Sequence, residues 1–392
     1  MKFVIAPDSF KGGLTAKEAA NVMAEGIKRV FPNAEYALVP MADGGEGTVQ
    51  SLVDATNGQK MIAKVHNPLN KLVNAEYGIL GDGETAVIEM AAASGLQFVN
   101  KETANPLITT TYGTGELIKD ALDHNIKKII IGIGGSATVD GGAGMAQALG
   151  ARLLDADNHE IGLGGGELAS LEQVDFGGLD PRLKNVDIQI ASDVTNPLTG
   201  KNGAAPVFGP QKGADEEMVN ILDKNLHHYA RKIVAAGGPD VEQTAGAGAA
   251  GGLGAGLIAF TGATMKRGVE LVIEATQLQK KAVGADYVFT GEGGIDFQTK
   301  FGKTPYGVAK ATKEVAPTAP VIVLAGNIGK GVNDLYSSTA IDAIFATPEG
   351  AKPLKTALAD APIDIAQTAE NVARLIKVSH VSNQELKEGP VT

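Results

Sequence analysis

The sequence predicts an α/β fold of two domains: a Rossmann-like or flavodoxin-like parallel-sheet domain built from both chain ends, and an inserted mixed α/β domain. Three observations support this. Short β-branched or apolar runs near both ends each feed a glycine-rich loop at a predicted strand end. Between about Lys60 and Ala91 the apolar runs lie closer together and look antiparallel. The 392 residues exceed one ordinary core, since roughly 150 residues per domain suggests two or three domains.

In chain order, Phe3 to Ala6 is a buried strand followed by the loop Pro7-Asp8-Ser9-Phe10-Lys11-Gly12-Gly13. Thr15 and Glu18 form a T-x-x-E capping box that opens a helix. That helix carries Ala19, Val22, Met23, Gly26, Ile27 and Val30 on one face, and Phe31-Pro32 stops it. Tyr36 to Val39 is the next strand, leading into Pro40-Met41-Ala42-Asp43-Gly44-Gly45-Glu46-Gly47-Thr48 and another helix. Ile62 to Val65, Leu72 to Leu80 and Ala86 to Met90 are predicted antiparallel strands, with Gly81-Asp82-Gly83 turning between the last two.

The strand Ile129 to Ile131 enters a loop with glycines at 132, 134, 135, 141, 142 and 144, and a small-residue helix follows. Glycines at the end of a buried strand let the backbone approach a ligand and aim N–H groups at an anion. Ser136, Thr138 and Asp140 add hydroxyls and a carboxylate, which suits a phosphate or sugar-acid site. Gly162 to Gly166 is irregular, and strand Asp187 to Ala191 runs into Ser192-Asp193-Val194-Thr195-Asn196-Pro197. A helix over 215–236 presents Met218, Ile221, Leu222, Leu226, Tyr229, Ile233 and Val234 as its apolar face. Ala245 to Gly256 is nearly all Gly and Ala, a composition for close packing.

Parallel βα units return at Tyr287 to Phe289, Val321 to Leu324 and Ile341 to Ala346. The expected division is therefore 1–64 plus 285–380 for the discontinuous domain, 65–284 for the insert, and 381–392 for a tail. Polar loops of both domains are expected to converge on one cleft, as active sites favour strand carboxyl ends.

Composition narrows the function. Hydrophobic residues at 44% and charged residues at 20% are ordinary for a soluble globular chain. The net charge of −11, without a Lys/Arg run, argues against a nucleic-acid partner. The absence of cysteine excludes thiolate nucleophiles, disulfides and cysteine metal sites. Asp8 and Lys11 interrupt the first apolar run, so no signal peptide is expected, and no run reaches ~18 apolar residues, so no membrane span is. A cytoplasmic location is the resulting expectation.

Among motifs, Gly132, Gly134 and Ala137 fit G-x-G-x-x-[GA], but the acid that a dinucleotide site needs has only Asp155 or Asp157 after a turn-like stretch. Gly302-Lys303-Thr304 ends like a P-loop, yet Phe297 stands where its first glycine belongs. Pro305 at a helix start would leave Lys303 at the N-terminal end. The loops with Asp43 and Glu46, with Asp193, and with Glu292 and Asp296 offer oxygen ligands suited to Mg2+. The six histidines show no metal spacing, and His227-His228 is expected at the surface.

Five motifs in order resemble the bacterial class I glycerate kinases: Ala6-Pro7-Asp8-Ser9-Phe10-Lys11-Gly12; Met41 through Thr48; Ile133 through Gly142; Ser192 through Leu198; and Gly291-Glu292-Gly293 with Gly302-Lys303-Thr304-Pro305. The resemblance runs from Lys2 to about Val378. It implies ATP-dependent, Mg2+-assisted phosphorylation of D-glycerate on a two-domain fold, at the 2-hydroxyl in preference to the 3-hydroxyl. The family often carries an arginine where this chain has Gly294, so Lys303 or another cation would cover that phosphate contact.

On that basis Asp193, Lys11 and Lys303 are the expected catalytic residues. Asp193 would orient or deprotonate the attacking hydroxyl. Asp8, Ser9, Gly134, Gly135, Ser136 and Asn196 would bind substrate; Gly44, Gly45, Thr138, Gly291, Glu292 and Gly293 would bind nucleotide; Asp43 and Glu46 would hold Mg2+. Which loop takes nucleotide and which takes glycerate stays open at this point, as does a homodimer. A nicotinamide-dependent hydroxy-acid dehydrogenase and a non-catalytic sugar-acid sensor are the competing classes.

Overall fold

The computed structural model describes residues 1–388, with side chains through His380. Its strands are β1 (Lys2–Ile5), β2 (Glu35–Leu38), β3 (Gln59–His66), β4 (Leu72–Ile79), β5 (Thr85–Glu89), β6 (Lys128–Gly132) and β7 (Arg152–Leu154). They continue as β8 (Gln173–Asp175), β9 (Asp187–Ala191), β10 (Thr264–Lys266), β11 (Tyr287–Glu292), β12 (Val321–Ala325) and β13 (Ala343–Ala346). The chain divides into two compact units: Met1–Asp43 with Val272–Thr392, and Gly44–Leu271.

The first unit is built on a sheet ordered β13-β12-β11-β1-β2, with every neighbouring pair parallel. Counted along the unit's own strands this is 2-1-3-4-5, the flavodoxin-type doubly wound order, which reverses between β1 and β11. The strands are short and apolar because helices cover both faces. All five residues of β12 are buried, as are Phe3, Val4 and Ile5 of β1. The helix Ala16–Lys28 begins at the expected capping box: Glu18 N–H donates to Thr15 Oγ1 at 3.2 Å, and Thr15 N–H to Glu18 Oε2 at 2.8 Å. Its buried face, Ala19, Met23 and Ile27, joins Phe3, Ile5, Phe289, Ile365, Ala369 and Val372 in one core. The C-terminal helix Leu354–Glu388 runs through most of the stretch expected as a tail, and residues 389–392 lie outside the described residues.

The second unit holds a six-stranded sheet, β10-β9-β6-β5-β4-β3, and a separate antiparallel pair, β7-β8. β3 and β4 pair antiparallel along all eight residues, as expected. β5 is different. It pairs antiparallel with β4 only at Gly78↔Val87 and Ile79↔Ala86, but parallel with β6 from Thr85↔Lys128 to Glu89↔Gly132. An interior strand must satisfy both edges, and the sequence showed only the near one. β6, β9 and β10 continue parallel, so β5, β6 and β9 all end at the same edge.

Two further expectations shift. The division falls at 43/44 and 271/272, against the expected 64/65 and 284/285. The helix Thr48–Thr56 packs on β4 and β5, and the helix Leu278–Ala282 packs on Thr304–Val315, so each goes with its partner. On the helix Glu216–Ala235 the buried stripe is Leu222, Leu226, Tyr229 and Ile233, while Ile221 and Val234 are exposed. The apolar residues made a wider stripe than the core could cover. Among the described residues no helix is long and apolar enough to cross a membrane.

Gly26 marks the closest approach of the helices Ala16–Lys28 and Leu354–Glu388: a Cβ there would lie 2.1 Å from the Ala366 carbonyl oxygen. Gly26→Ala gains up to ~1 kcal/mol of helix propensity, but the overlap is with backbone and forces the helices apart. The expected net effect is a loss of about 1–3 kcal/mol by denaturant unfolding. Equal or greater stability would mean the helices separate freely.

Candidate active site

In the first unit the loops that leave β1 and β11 gather carboxylates at the reversal of strand order, where open parallel sheets bind ligands. Asp8 follows β1, and its backbone N–H donates to the Gly291 carbonyl at 2.8 Å, tying the β1 loop to the end of β11. Its side chain accepts from Ser9 N–H at 2.6 Å and from the Thr304 hydroxyl. Burial pushes the Asp8 carboxyl up to about 6; the Thr304 bond opposes the rise, and the Asp43 carboxylate adds to it. Glu292, the last residue of β11, is 9% exposed and is pushed up to about 8 by burial, with Asp8 and Asp43 contributing.

The opposing charge is Lys303, whose Nζ lies 3.6 Å from Glu292 Oε1. That exceeds hydrogen-bond length, and Glu292 Oε1 is buried without a hydrogen-bond partner among the described residues. Lys303 caps the helix Thr304–Val315, with Pro305 in its first turn, as the sequence predicted. Its Nζ also reaches the Gly294 carbonyl at 3.5 Å. Around Gly294 nothing lies nearer than 3.9 Å to where a Cβ would sit, so a larger side chain has room. Gly293 is tighter, since a Cβ would come within 3.3 Å of the Lys11 backbone nitrogen. The Lys11 side chain is exposed on the β1 loop.

In the second unit the parallel strands β5, β6 and β9 discharge their loops at one edge. Glu89 ends β5 and accepts from Gly47 N–H at 3.1 Å and Val49 N–H at 2.9 Å. It thereby caps the helix Thr48–Thr56, whose own cap, Gly47 at φ 91°, has no side chain to do so. Burial raises the Glu89 carboxyl, and Glu46 adds to the rise. Gly44 is packed at the ends of β6 and β9: a Cβ on it would meet Ala191 Cβ at 3.0 Å, and one on Gly132 would meet the Gly44 carbonyl oxygen at 2.8 Å. Gly45 accepts from the Thr48 hydroxyl at 2.7 Å.

The loop after β6 separates into an exposed tip and a buried base. Gly134 and Gly135 are exposed, and Gly134 has open space where a side chain would be. Leu96 N–H donates to the Gly135 carbonyl at 2.9 Å, and Ala137 N–H to the Ser94 carbonyl at 2.9 Å, which fixes the tip. Asp140, wholly buried, accepts from Thr111 N–H and Oγ1 at 2.8 Å each and from Gly142 N–H at 3.1 Å. Burial raises its carboxyl and these bonds oppose the rise, so it anchors the loop. Lys212, 1% exposed, donates to Ser136 Oγ at 2.6 Å and to the Thr138 carbonyl at 2.7 Å. Burial pushes its ammonium down to about 7, opposed by Asp140.

The sequence-predicted residues thus fall into two groups. Asp8, Ser9, Asp43, Gly291, Glu292, Gly293 and Lys303 belong to the first unit's cluster, with Lys11 on its rim. Gly134, Gly135, Ser136 and Thr138 share the braced loop of the second unit. Asp193 is exposed two residues beyond β9, while the Asn196 amide is engaged by the Asn202 carbonyl at 2.8 Å. Asp43 shifts Asp8 and Glu292, whereas Glu46 acts on Glu89. His227 pairs with Glu242, and His228 donates to the Leu171 carbonyl at 2.6 Å, so both serve structure. Thr304, Glu89 and Lys212 escaped the sequence reading. Thr304 stood in a motif already noted, but Glu89 looked like the end of a strand and Lys212 like any surface lysine.

The sequence profile of the Glycerate kinase family matches residues 3–377. A glycerate kinase of Bacillus subtilis is 54% identical over 97% of this chain and 98% of its own length. The glycerate 2-kinase of Escherichia coli is 50% identical over 96% of this chain and 98% of its own. The crystal structure of a Salmonella typhimurium LT2 protein assigned as glycerate kinase 2 superposes with a TM-score of 0.89 at 49% identity, covering 97% of this chain and 99% of that one. With the glycine loop and the carboxylate cluster both within the matched span, the chain belongs to the glycerate kinase family.

Proposed function

We propose that the chain transfers the γ-phosphoryl group of ATP to the 2-hydroxyl of D-glycerate, giving 2-phosphoglycerate and ADP with Mg2+. Support for the 2-position comes from the 50% identical relative named glycerate 2-kinase. The observation that carries the chemistry is the carboxylate cluster. Asp43 raises both Asp8 and Glu292, and Asp8 adds to the rise of Glu292, with Lys303 the cation acting on Glu292. Such an excess of oxygen ligands, with one buried oxygen unpartnered, fits a hard divalent cation.

Asp43 is the proposed ligand, with Glu46 as second carboxylate, direct or through water. Among the described residues no three acidic or imidazole side chains are grouped to hold an ion alone. Mg2+ commonly takes one or two carboxylates and completes its shell with water and nucleotide phosphates. Bound there, it would neutralise phosphate charge.

The protein's part in phosphoryl transfer is positioning and charge. Gly44, Gly45, Gly291 and Gly293 are assigned to the nucleotide, where missing side chains let backbone approach phosphate. Glu292 and Thr138 belong with them. Gly134, Gly135 and Ser136 receive the substrate carboxylate on backbone N–H groups and a hydroxyl, with Asn196, Asp8 and Ser9 completing the acceptor side. Lys11 and Lys303 offset charge on the transferring group. Asp193, exposed at the β9 edge, takes the proton from the attacking hydroxyl or orients it.

Incubation with D-glycerate, ATP and Mg2+ followed by ³¹P–¹H correlation NMR tests the reaction. The new phosphorus should couple to the C2 proton; coupling to the C3 protons would transfer the assignment to the 3-position. Asp193→Asn should lower kcat by about 10²–10⁴ while leaving the Kd for ATP unchanged. Near-wild-type turnover would remove Asp193 from this role.

Glu292 also makes stability depend on pH. Its folded value of about 8 exceeds its unfolded value near 4.5, so between them the folded chain keeps a proton that the unfolded chain releases. Its contribution to stability is therefore lost as pH rises through that window. Glu292→Gln should raise Tm above wild type at pH 9, and the difference should vanish at pH 4. A gain of equal size at both pH values would show that burial of charge is not its origin.

A further inference from the structure

The exposed tip of the glycine loop rests on a charged side chain that the scheme above leaves unused. Lys212 closes the short turn Pro210–Lys212, and Gly213 follows at φ +93°, where a Cβ would lie 2.3 Å from the Ala104 carbonyl oxygen. The backbone is therefore pinned, and the lysine side chain is directed inward. Burying an ammonium is strongly unfavourable unless its protons find partners, and an apolar side chain of similar volume would pack there without that penalty.

Asp140 is the opposing charge, but its oxygens are taken by Thr111, Gly142 and Gly144. Lys212 instead spends its contacts on the Ser136 hydroxyl and the Thr138 carbonyl, at 2.6 and 2.7 Å. In its ammonium form a lysine has three N–H donors and no lone pair, so Ser136 Oγ must be the acceptor. The Ser136 proton is then free to point elsewhere. Among the described residues no side chain or carbonyl accepts it. Ser136 immediately follows the exposed Gly134 and Gly135, and at Gly134 nothing lies within 4 Å of where a side chain would begin.

We propose that Lys212 is a positioning residue for the acceptor substrate: by donating to Ser136 Oγ it turns the serine hydroxyl into a dedicated donor for the substrate carboxylate. The same ammonium, through the Thr138 carbonyl, holds the base of the loop so that the Gly134 and Gly135 N–H groups keep their direction. This inference rests on the reading that the loop tip, Gly134 to Ser136, receives the carboxylate of glycerate and not nucleotide phosphate.

A double-mutant cycle on the full chain separates the two. Lys212→Met, Ser136→Ala and the combined variant are assayed for kcat and for KM toward D-glycerate and ATP, with thermal melts to confirm folding. Each single variant should raise KM for D-glycerate at least tenfold and keep KM for ATP within twofold. The combined variant should be no worse than the poorer single one, because both act through the same hydroxyl. Lys212→Gln, which retains an N–H donor without charge, should fall between wild type and Lys212→Met. If Lys212→Met does not fold, Lys212→Gln with Ser136→Ala supplies the same cycle.

Multiplicative losses in the combined variant would overturn the inference, as would an unchanged KM for D-glycerate in the lysine variants while Ser136→Ala raises it. A Ser136→Ala effect confined to ATP, or absent, would instead overturn the reading beneath it.

Discussion

Parallel pairing obliges every strand of a sheet to release its chain at the same edge, and both units of this protein are built on that consequence. In the first unit β1, β2, β11 and β12 all end on one side, so loops far apart in sequence become neighbours. Asp8 and Gly291 are separated by most of the chain yet share a 2.8 Å backbone hydrogen bond. In the second unit β5, β6 and β9 do the same for Glu89, the glycine loop and Asp193. The antiparallel strands β3 and β4 extend that sheet without contributing a predicted site residue to the edge.

Collecting polar loops at one edge has an electrostatic penalty, and the two units meet it differently. The first concentrates carboxylates: burial and Asp43 raise both Asp8 and Glu292, opposed at Asp8 by hydrogen bonds from Thr304 and Ser9 and at Glu292 by Lys303, 3.6 Å away. That arrangement is poor for stability and well suited to a cation-bearing ligand. The second unit answers charge with hydrogen bonds. Asp140 is surrounded by backbone and hydroxyl donors, and Lys212 is absorbed by Ser136 and Thr138. Their order leaves the loop tip, with its glycines, open to solvent.

Much of this was legible beforehand. The capping box at Thr15, the strand cores and the close packing of the Gly/Ala run depend on neighbours in sequence or on composition. Gly251 shows the last: a Cβ on it would meet the Thr138 carbonyl oxygen at 1.9 Å. Less legible was β5, whose parallel partner β6 lies some forty residues on and leaves no local pattern. The unit boundaries moved for a similar reason, because the helix Thr48–Thr56 follows a strand of one unit but buries its face against strands of the other. Ile221 and Val234 carried the right period, yet period alone does not say how wide a stripe the core will cover.

The sequence by itself determined the alternation of strands and helices, the glycine loops at strand ends, and the family, since each depends on local chemistry or on motifs in a fixed order. Only the tertiary structure decided which charges meet. Burial and proximity set the protonation of Glu292 and of Lys212, and both are properties of surroundings that the chain assembles from distant segments. A lysine in a row of letters looks solvated; the fold alone shows that this one is not.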